Sequence, residues 1–238
     1  FPSARVVELW ATTECDAVLA NVSGAKPGAK GRPLPGSAEV RLAAYDAVTG
    51  TIVRDRQGFH VPCAPGQVGV LLANSRAQGD SSARMMRGVF TAGDCWLPTE
   101  DLFRQDADGD YWLMGTTGTV IRTEHGPVYP QPIVDALGSL DTVDLAVAHG
   151  AVVDGRAVSV ASVTTWPGRE LRARDLDTAF QHLPAGERPD VVQVVDEIPV
   201  TPSYRPAVER VAELGVRSTS VWTYDAATAT YVDPPARA

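Results

Sequence analysis

The sequence predicts an α+β chain in two parts, a β-rich region followed by one in which helices and strands mix. Three observations carry this. Short apolar runs bounded by Gly, Pro and Asp fill the chain before residue 115, helical apolar spacing appears only after it, and "GTTGT" joins the two regions.

The elements follow in order. "ARVVELW" reads as a strand over Arg5 to Trp10, and "SGAKPGAKGRPLPG" as a Gly/Pro-dense loop. "SAEVRLAAYDAVTGTIV" gives two strands turning at Val48-Thr49-Gly50, and "GQVGVLLANS" a buried strand. "WLPTEDLFRQDADGDYWLM" is a hairpin whose turn is Asp106-Ala107-Asp108-Gly109. Beyond Gly115, "PQPIVDALGSL" and "RARDLDTAFQHL" have helical spacing, "VDLAVAHGAVVDGRAVSVASVTT" is a hairpin turning at Asp154-Gly155, and "PDVVQVVDEIPV" is a short buried strand. "RPAVERVAELG" reads as a helix with Pro206 in its first turn and Gly215 as C-cap, which puts Arg205 at its mouth. The domain boundaries expected are 1–114, a joint at 115–119 and 120–238. The small residues of that joint could serve as a pivot, while the pattern alone favours a plain loop.

Composition narrows the function. The 238 residues and 44% hydrophobic content suit a folded chain with a proper core. A net charge of −8 argues against nucleic acid as a partner, which wants a cationic face. No apolar run approaches the ~18 residues of a transmembrane segment. Cys15, Cys63 and Cys95 have no metal-ligand or disulfide spacing, so reduced thiols and a cytoplasmic location are expected, with peripheral membrane association as the alternative. The chain begins at Phe1, inside what reads as a strand, as a piece of something longer would.

Three stretches carry more polar detail than folding demands. In "ELWATTECD", Thr12, Thr13 and Glu14 follow a strand, where oxygen donors suit a phosphate-bound magnesium ion; ordinary strand-end polarity is the competing reading. In "GDCWLPTEDLF", Glu100 or Asp101 could accept hydrogen bonds from two ribose hydroxyls, although surface acids explain the pair as well. In a strand their side chains point to opposite faces, so they do not make an acid/base pair. In "TPSYRPAVERVAELG", Arg205 is either a planar clamp for an anion or an incidental surface cation. His60, His125, His149 and His182 lack ligand spacing, and no common phosphate-loop or nucleophile motif is present.

In order and spacing these stretches resemble the C-terminal portion of adenylate-forming enzymes, most closely the fatty acid transport protein and very-long-chain acyl-CoA synthetase branch. "VVELWATTE", "GAKPGAKGRPLPG", "AGDCWLPTEDLFRQDADGDYWLMG", "IPVTPSYRPAVERVAELGV" and "VWTYDAATATYVDP" carry the resemblance over nearly the whole chain. It implies a β-barrel-like subdomain of an AMP-binding domain followed by a small mobile α+β lid. It implies ATP-dependent activation of a fatty or other hydrophobic carboxylic acid through an acyl-adenylate to a coenzyme A thioester. By position, Glu14 and Thr13 would meet phosphates and Mg²⁺, with Thr12 beside them, and Trp10 would replace the aromatic near adenine. Asp101 would hold the ribose, Arg122 would be a further nucleotide contact, residues 115–119 would be the hinge, and Arg205 would stand in the place of the catalytic lysine.

The departures are as specific. Glu100 stands where the family has glycine, Ala11 where it has glycine, Thr116 where it has arginine and Thr119 where it has aspartate. The family's phosphate loop lies upstream of the position of Phe1, so the resemblance implies a partner: the N-terminal portion of the same enzyme, without which this piece is inactive. The alternatives are a diverged non-catalytic relative that binds nucleotide or coenzyme A, and a carbohydrate-binding β protein using Trp10, Trp96, Trp112, Trp166 and Trp222.

Overall fold

Short apolar runs bounded by turns drive most of the first region into antiparallel sheet. The computed structural model describes residues 7–12, 14–74 and 84–232, and the chain divides into two units, Phe1–Gly118 and Thr119–Ala238.

In the first unit β1 (Glu8–Ala11), β2 (Val18–Asn21) and β3 (Arg32–Pro33) form one sheet in that order, with Trp10 opposite Leu19. A second sheet contains β4 (Val40–Asp46), β5 (Thr51–Ile52), β6 (Val68–Asn74), β7 (Met86–Arg87), β8 (Cys95–Gln105) and β9 (Tyr111–Thr116), in the order β5-β4-β6-β8-β7 with β9 also on β8. Leu19 of the first sheet and Leu42, Leu71 and Phe103 of the second share one buried cluster, each such side chain worth about 1.5–3 kcal/mol on burial. Among the described residues the sheets stay open and do not close into a barrel.

Two local features fix the loops of this unit. The Asp106 carboxylate accepts the backbone N–H groups of Asp108 and Asp110, shaping the turn read from the sequence, and Gly109 takes φ 90°. Gly31, at φ 78°, lies so close to the Ala20 carbonyl that no side chain fits, which holds the Gly/Pro-dense loop against β2.

The second unit opens with the hairpin β10 (Ile121–Thr123) and β11 (Gly126–Val128), followed by α1 (Pro130–Gly138). Then come β12 (Val143–Val153), β13 (Arg156–Thr165), α2 (Ala173–Phe180), β14 (Val191–Val194), α3 (Val208–Leu214), β15 (Val221–Asp225) and β16 (Thr230–Val232). The last five strands form one sheet in sequence order, and only the β13–β14 pair is parallel. That pair has the helical crossover a parallel connection requires, through α2. Asp154 and Gly155 both take positive φ, 51° and 79°, as a tight two-residue hairpin demands. Asp175 caps α2 by accepting the Arg172 N–H at 3.0 Å.

Strand periodicity divides the packing of this sheet. Ala146 and Ala148 of β12 belong to the cluster with Ile133, Leu137, Leu176 and Phe180, whereas Val147 between them packs with Ile198 and Val211. Helices α1 and α2 therefore cover one face, and α3 the other. The helix expected from Pro206 starts later. Pro206 bridges to Val200 and the Ala207 N–H donates to the Pro199 carbonyl at 2.7 Å, so these residues are held extended and α3 begins at Val208, with Gly215 as its C-cap at φ 65°. The terminal "VWTYDAATATYVDP" stretch contributes a hairpin, β15 and β16.

Candidate nucleotide site

Strand β1 and a bulge in β8 build the candidate site. On β6, Val70 pairs with Leu102 and Leu72 with Pro98, so Thr99, Glu100 and Asp101 together face Leu71. Thr99 Oγ1 donates to the Leu71 carbonyl at 2.9 Å and accepts the Asp101 N–H at 3.2 Å, which fixes the bulge from within. Glu100 takes φ 67°, a left-handed backbone that a residue with a side chain adopts at a cost of about 1–2 kcal/mol.

The bulge turns Asp101 toward β1. Nε1 of Trp10 donates to Oδ2 of Asp101 at 2.8 Å, and the Trp10 ring packs edge-on against Phe103 at 5.6 Å between centroids. Asp101 is half-buried. Burial pushes its carboxyl above the ordinary carboxylate range, against the opposing pull of the Trp10 hydrogen bond, and neighbouring Glu100 adds to the upward push.

Beyond β1 the chain turns at Thr12, whose Oγ1 accepts the Glu14 N–H at 3.2 Å. The Glu14 carboxylate receives Arg84 Nη1 at 2.6 Å, and Arg84 Nη2 reaches Glu100 at 3.0 Å. Arg84 thus links the two stretches that Trp10 and Asp101 also link. Nothing in the local sequence around Arg84 marked it, because Glu14 and Glu100 lie 70 and 16 residues away.

Of the residues singled out from the sequence, Trp10, Thr12, Glu14 and Asp101 come from these adjoining segments of the first unit, and Thr13 lies outside the described residues. Arg122 is exposed on β10, opposite Pro127, in the second unit. Arg205 is exposed in a turn of that unit, not at a helix mouth as the sequence suggested. Its N–H donates to Thr201 Oγ1 at 3.2 Å and its carbonyl accepts the Thr201 N–H at 2.7 Å. Preceding it, Tyr204 is 87% exposed at φ 57°.

The donor set can be tested against the groups the resemblance implies. Among the described residues no three His, Cys, Asp or Glu side chains converge on a metal-sized space. Glu14 offers a single, partly exposed carboxylate, which matches the way Mg²⁺ is held by one or two carboxylates together with substrate phosphates and water. The half-buried Asp101 carboxylate suits a pair of sugar hydroxyls. Two of the five tryptophans, Trp96 and Trp222, are buried and so cannot belong to an exposed binding surface.

Known proteins resemble the chain in sequence and in fold. No family model matches the chain. It is 27% identical over 234 residues, 90% of its length, to long-chain fatty acid transport protein 5 of Mus musculus, and covers 33% of that protein. It is 29% identical over 134 residues, 51% of its length and 21% of the relative's, to the very long-chain fatty acid transport protein of Cochliobolus heterostrophus. The chain thus spans a third or less of the length of these curated relatives. Its fold is similar to that of the amide bond synthetase McbA from Marinactinospora thermotolerans, with a TM-score of 0.64, 24% identity and coverage of 88% of this chain and 42% of that one. It is also similar to o-succinylbenzoate coenzyme A synthetase from Bacillus subtilis in complex with AMP, with a TM-score of 0.62, 20% identity and coverage of 90% and 42%.

Proposed function

We propose, from a chain that has the sequence and fold of the C-terminal portion of an adenylate-forming acyl-CoA synthetase of the fatty acid transport protein branch, that it supplies part of a nucleotide site and a mobile lid to such a ligase. The whole enzyme activates a fatty or other hydrophobic carboxylic acid with ATP as an acyl-adenylate, then transfers the acyl group to the thiol of coenzyme A. In this reading Asp101 accepts the ribose hydroxyls, Trp10 orients that carboxylate and flanks the adenine, and Glu14 serves Mg²⁺ among the phosphates. Thr12, Thr13 and Arg122 are further nucleotide contacts, and Arg205 faces the substrate's anion. The second unit moves about residues 115–119, and the ligase needs the N-terminal portion of the enzyme as well as this one.

The observation that carries the reading is the hydrogen bond between Trp10 and Asp101. It supports a shared task for two residues, each drawn independently from a motif of the resemblance. The test is titration calorimetry of the full-length protein with a non-hydrolysable acyl-adenylate mimic. Binding that is lost on Asp101→Ala is expected; a wild-type protein that ignores the mimic overturns the reading. One observation favours a second reading, a non-catalytic nucleotide-binding relative. Glu100 departs from the family's glycine and, through Arg84, ties up Glu14. In that case the mimic binds and no acid is converted.

For location, the second unit and the first alike contain, among the described residues, no helix long and apolar enough to cross a membrane. The acyl acid is the partner this reading assigns.

A further inference from the structure

The arginine that ties up Glu14 can also be read as part of the site. Resting on the nucleotide-site reading above, we propose that Arg84 is a phosphate-facing cation of that site, held between Glu14 and Glu100 until a nucleoside triphosphate draws it off.

The geometry is that of a holding position. Toward these two carboxylates Arg84 divides its guanidinium, Nη1 to Glu14 at 2.6 Å and Nη2 to Glu100 at 3.0 Å. Its side chain is 43% exposed and those of its partners are 44% and 67% exposed. Ion pairs so open to water contribute little to stability, and breaking them is correspondingly easy.

Glu100 adds the second observation. It occupies a left-handed backbone that disfavours any side chain, so the fold carries a strain that an exposed ion pair does not offset. A carboxylate placed at that cost, beside Asp101 and bound to the cation that also holds Glu14, has a use beyond stability: it keeps Arg84 at the site when no nucleotide is present.

Charge gives the direction of exchange. Glu14 and Glu100 bring two carboxylates against the guanidinium and Asp101 adds a third beside Glu100, a setting hostile to a polyphosphate. A guanidinium fork matches phosphate oxygens at least as well as it matches two separate carboxylates. Once Arg84 turns to the phosphates, Glu14 is free to act as a single carboxylate donor, and the approach of the polyanion is neutralised by a group already in place.

The experiment measures binding to the full-length protein by calorimetry, using Mg²⁺·AMP-PNP and, separately, AMP. Losing a charge-assisted contact predicts that Arg84→Gln weakens AMP-PNP roughly 10- to 100-fold and AMP by less than about threefold, with Arg84→Lys recovering part of the loss. Glu100→Gln releases the cation and removes a negative charge, so AMP-PNP binding holds or tightens. Unchanged AMP-PNP affinity in Arg84→Gln overturns the proposal, as does an equal loss of AMP and AMP-PNP, which marks Arg84 as a structural clip. Loss on Glu100→Gln matching that of Arg84→Gln overturns it in the same way. A wild-type protein that binds neither nucleotide overturns both this proposal and the reading it rests on, whereas wild-type binding with an indifferent Arg84 overturns this proposal alone.

Discussion

The indole of Trp10 and the carboxylate of Asp101, 91 positions apart, meet at 2.8 Å across two segments of the first unit. Two forces act on that carboxyl in opposite senses: burial raises its pKa and the indole hydrogen bond lowers it. Trp10→Phe keeps a ring against Phe103 and removes only the donor, so the Asp101 pKa is expected to rise further. A group whose folded pKa lies above its unfolded value gives stability that is present at low pH and lost as pH rises through the folded value; in the variant that loss deepens and extends to higher pH. The cost near neutrality is about 1 kcal/mol. Carboxyl-carbon NMR titration reads the pKa and urea unfolding the stability; an unmoved pKa sinks the argument.

Glu100 makes the opposite kind of prediction. Its φ of 67° suits glycine, and Glu100→Gly removes a penalty of about 1–2 kcal/mol. The lost pair with Arg84 returns at most a few tenths of that, because both side chains are largely exposed. The variant is expected to be more stable by about 1 kcal/mol, seen as a higher urea midpoint with an unchanged slope. A lower midpoint would show that the Glu100–Arg84 contact outweighs the backbone strain.

How far the sequence disclosed these features depends on the distance over which each is determined. The turns at Asp106 to Gly109 and at Asp154-Gly155 were legible because their chemistry is local: a carboxylate capping its own loop, and two residues that tolerate positive φ. The start of α3 was misread for a reason outside the helix, since Pro206 pairs with Val200 and so cannot begin it. In the site, Asp101 and Trp10 could be named from motifs but not joined, and Arg84 could not be found at all. Its role arises only when the bulge in β8 and the turn after β1 converge on one guanidinium.

His149 makes the second unit sensitive to acid. It is buried, with Nδ1 3.1 Å from the Gly150 carbonyl and Nε2 3.1 Å from Ser162 Oγ, and Ser162 in turn accepts from Gln193. Donation from Nδ1 to the carbonyl leaves Nε2 of the neutral ring to accept the hydroxyl proton, whereas a second proton makes Ser162 Oγ, already accepting from Gln193, give up that donation and accept again. Burial accordingly holds its pKa below the ordinary 6.5, more than the Gly150 contact restores. A depressed folded pKa gives stability that is complete above 6.5 and lost as pH falls from there through the folded value. His60 in the first unit is lowered too, by burial and then by Arg54, so the readout must belong to the second unit. Protection of the β12 and β13 amides, corrected for the slower intrinsic exchange in acid, is expected to fall between pH 7 and pH 5 in the wild type. In His149→Asn, already weaker by about 1–3 kcal/mol at pH 7, it should vary less with pH; an equal pH dependence in both excludes His149 as the cause.

Arg205 separates function from stability most cleanly. Its backbone is tied on both sides to Thr201, while its side chain is exposed and forms no ion pair among the described residues. Arg205→Ala should therefore change stability by less than about 0.5 kcal/mol. If Arg205 faces the substrate's anion in the whole ligase, the same change lowers acyl-adenylate formation far more than it lowers thioester formation from a supplied acyl-adenylate. Arg205→Lys decides what the side chain contributes. A lysine keeps the charge on a more flexible stem and gives up the planar fork, so recovery of adenylation by lysine assigns the role to charge, and failure to recover assigns it to the fork. Single-turnover measurement of the two half-reactions distinguishes these outcomes, and equal loss in both half-reactions, or none in either, removes Arg205 from the adenylation step.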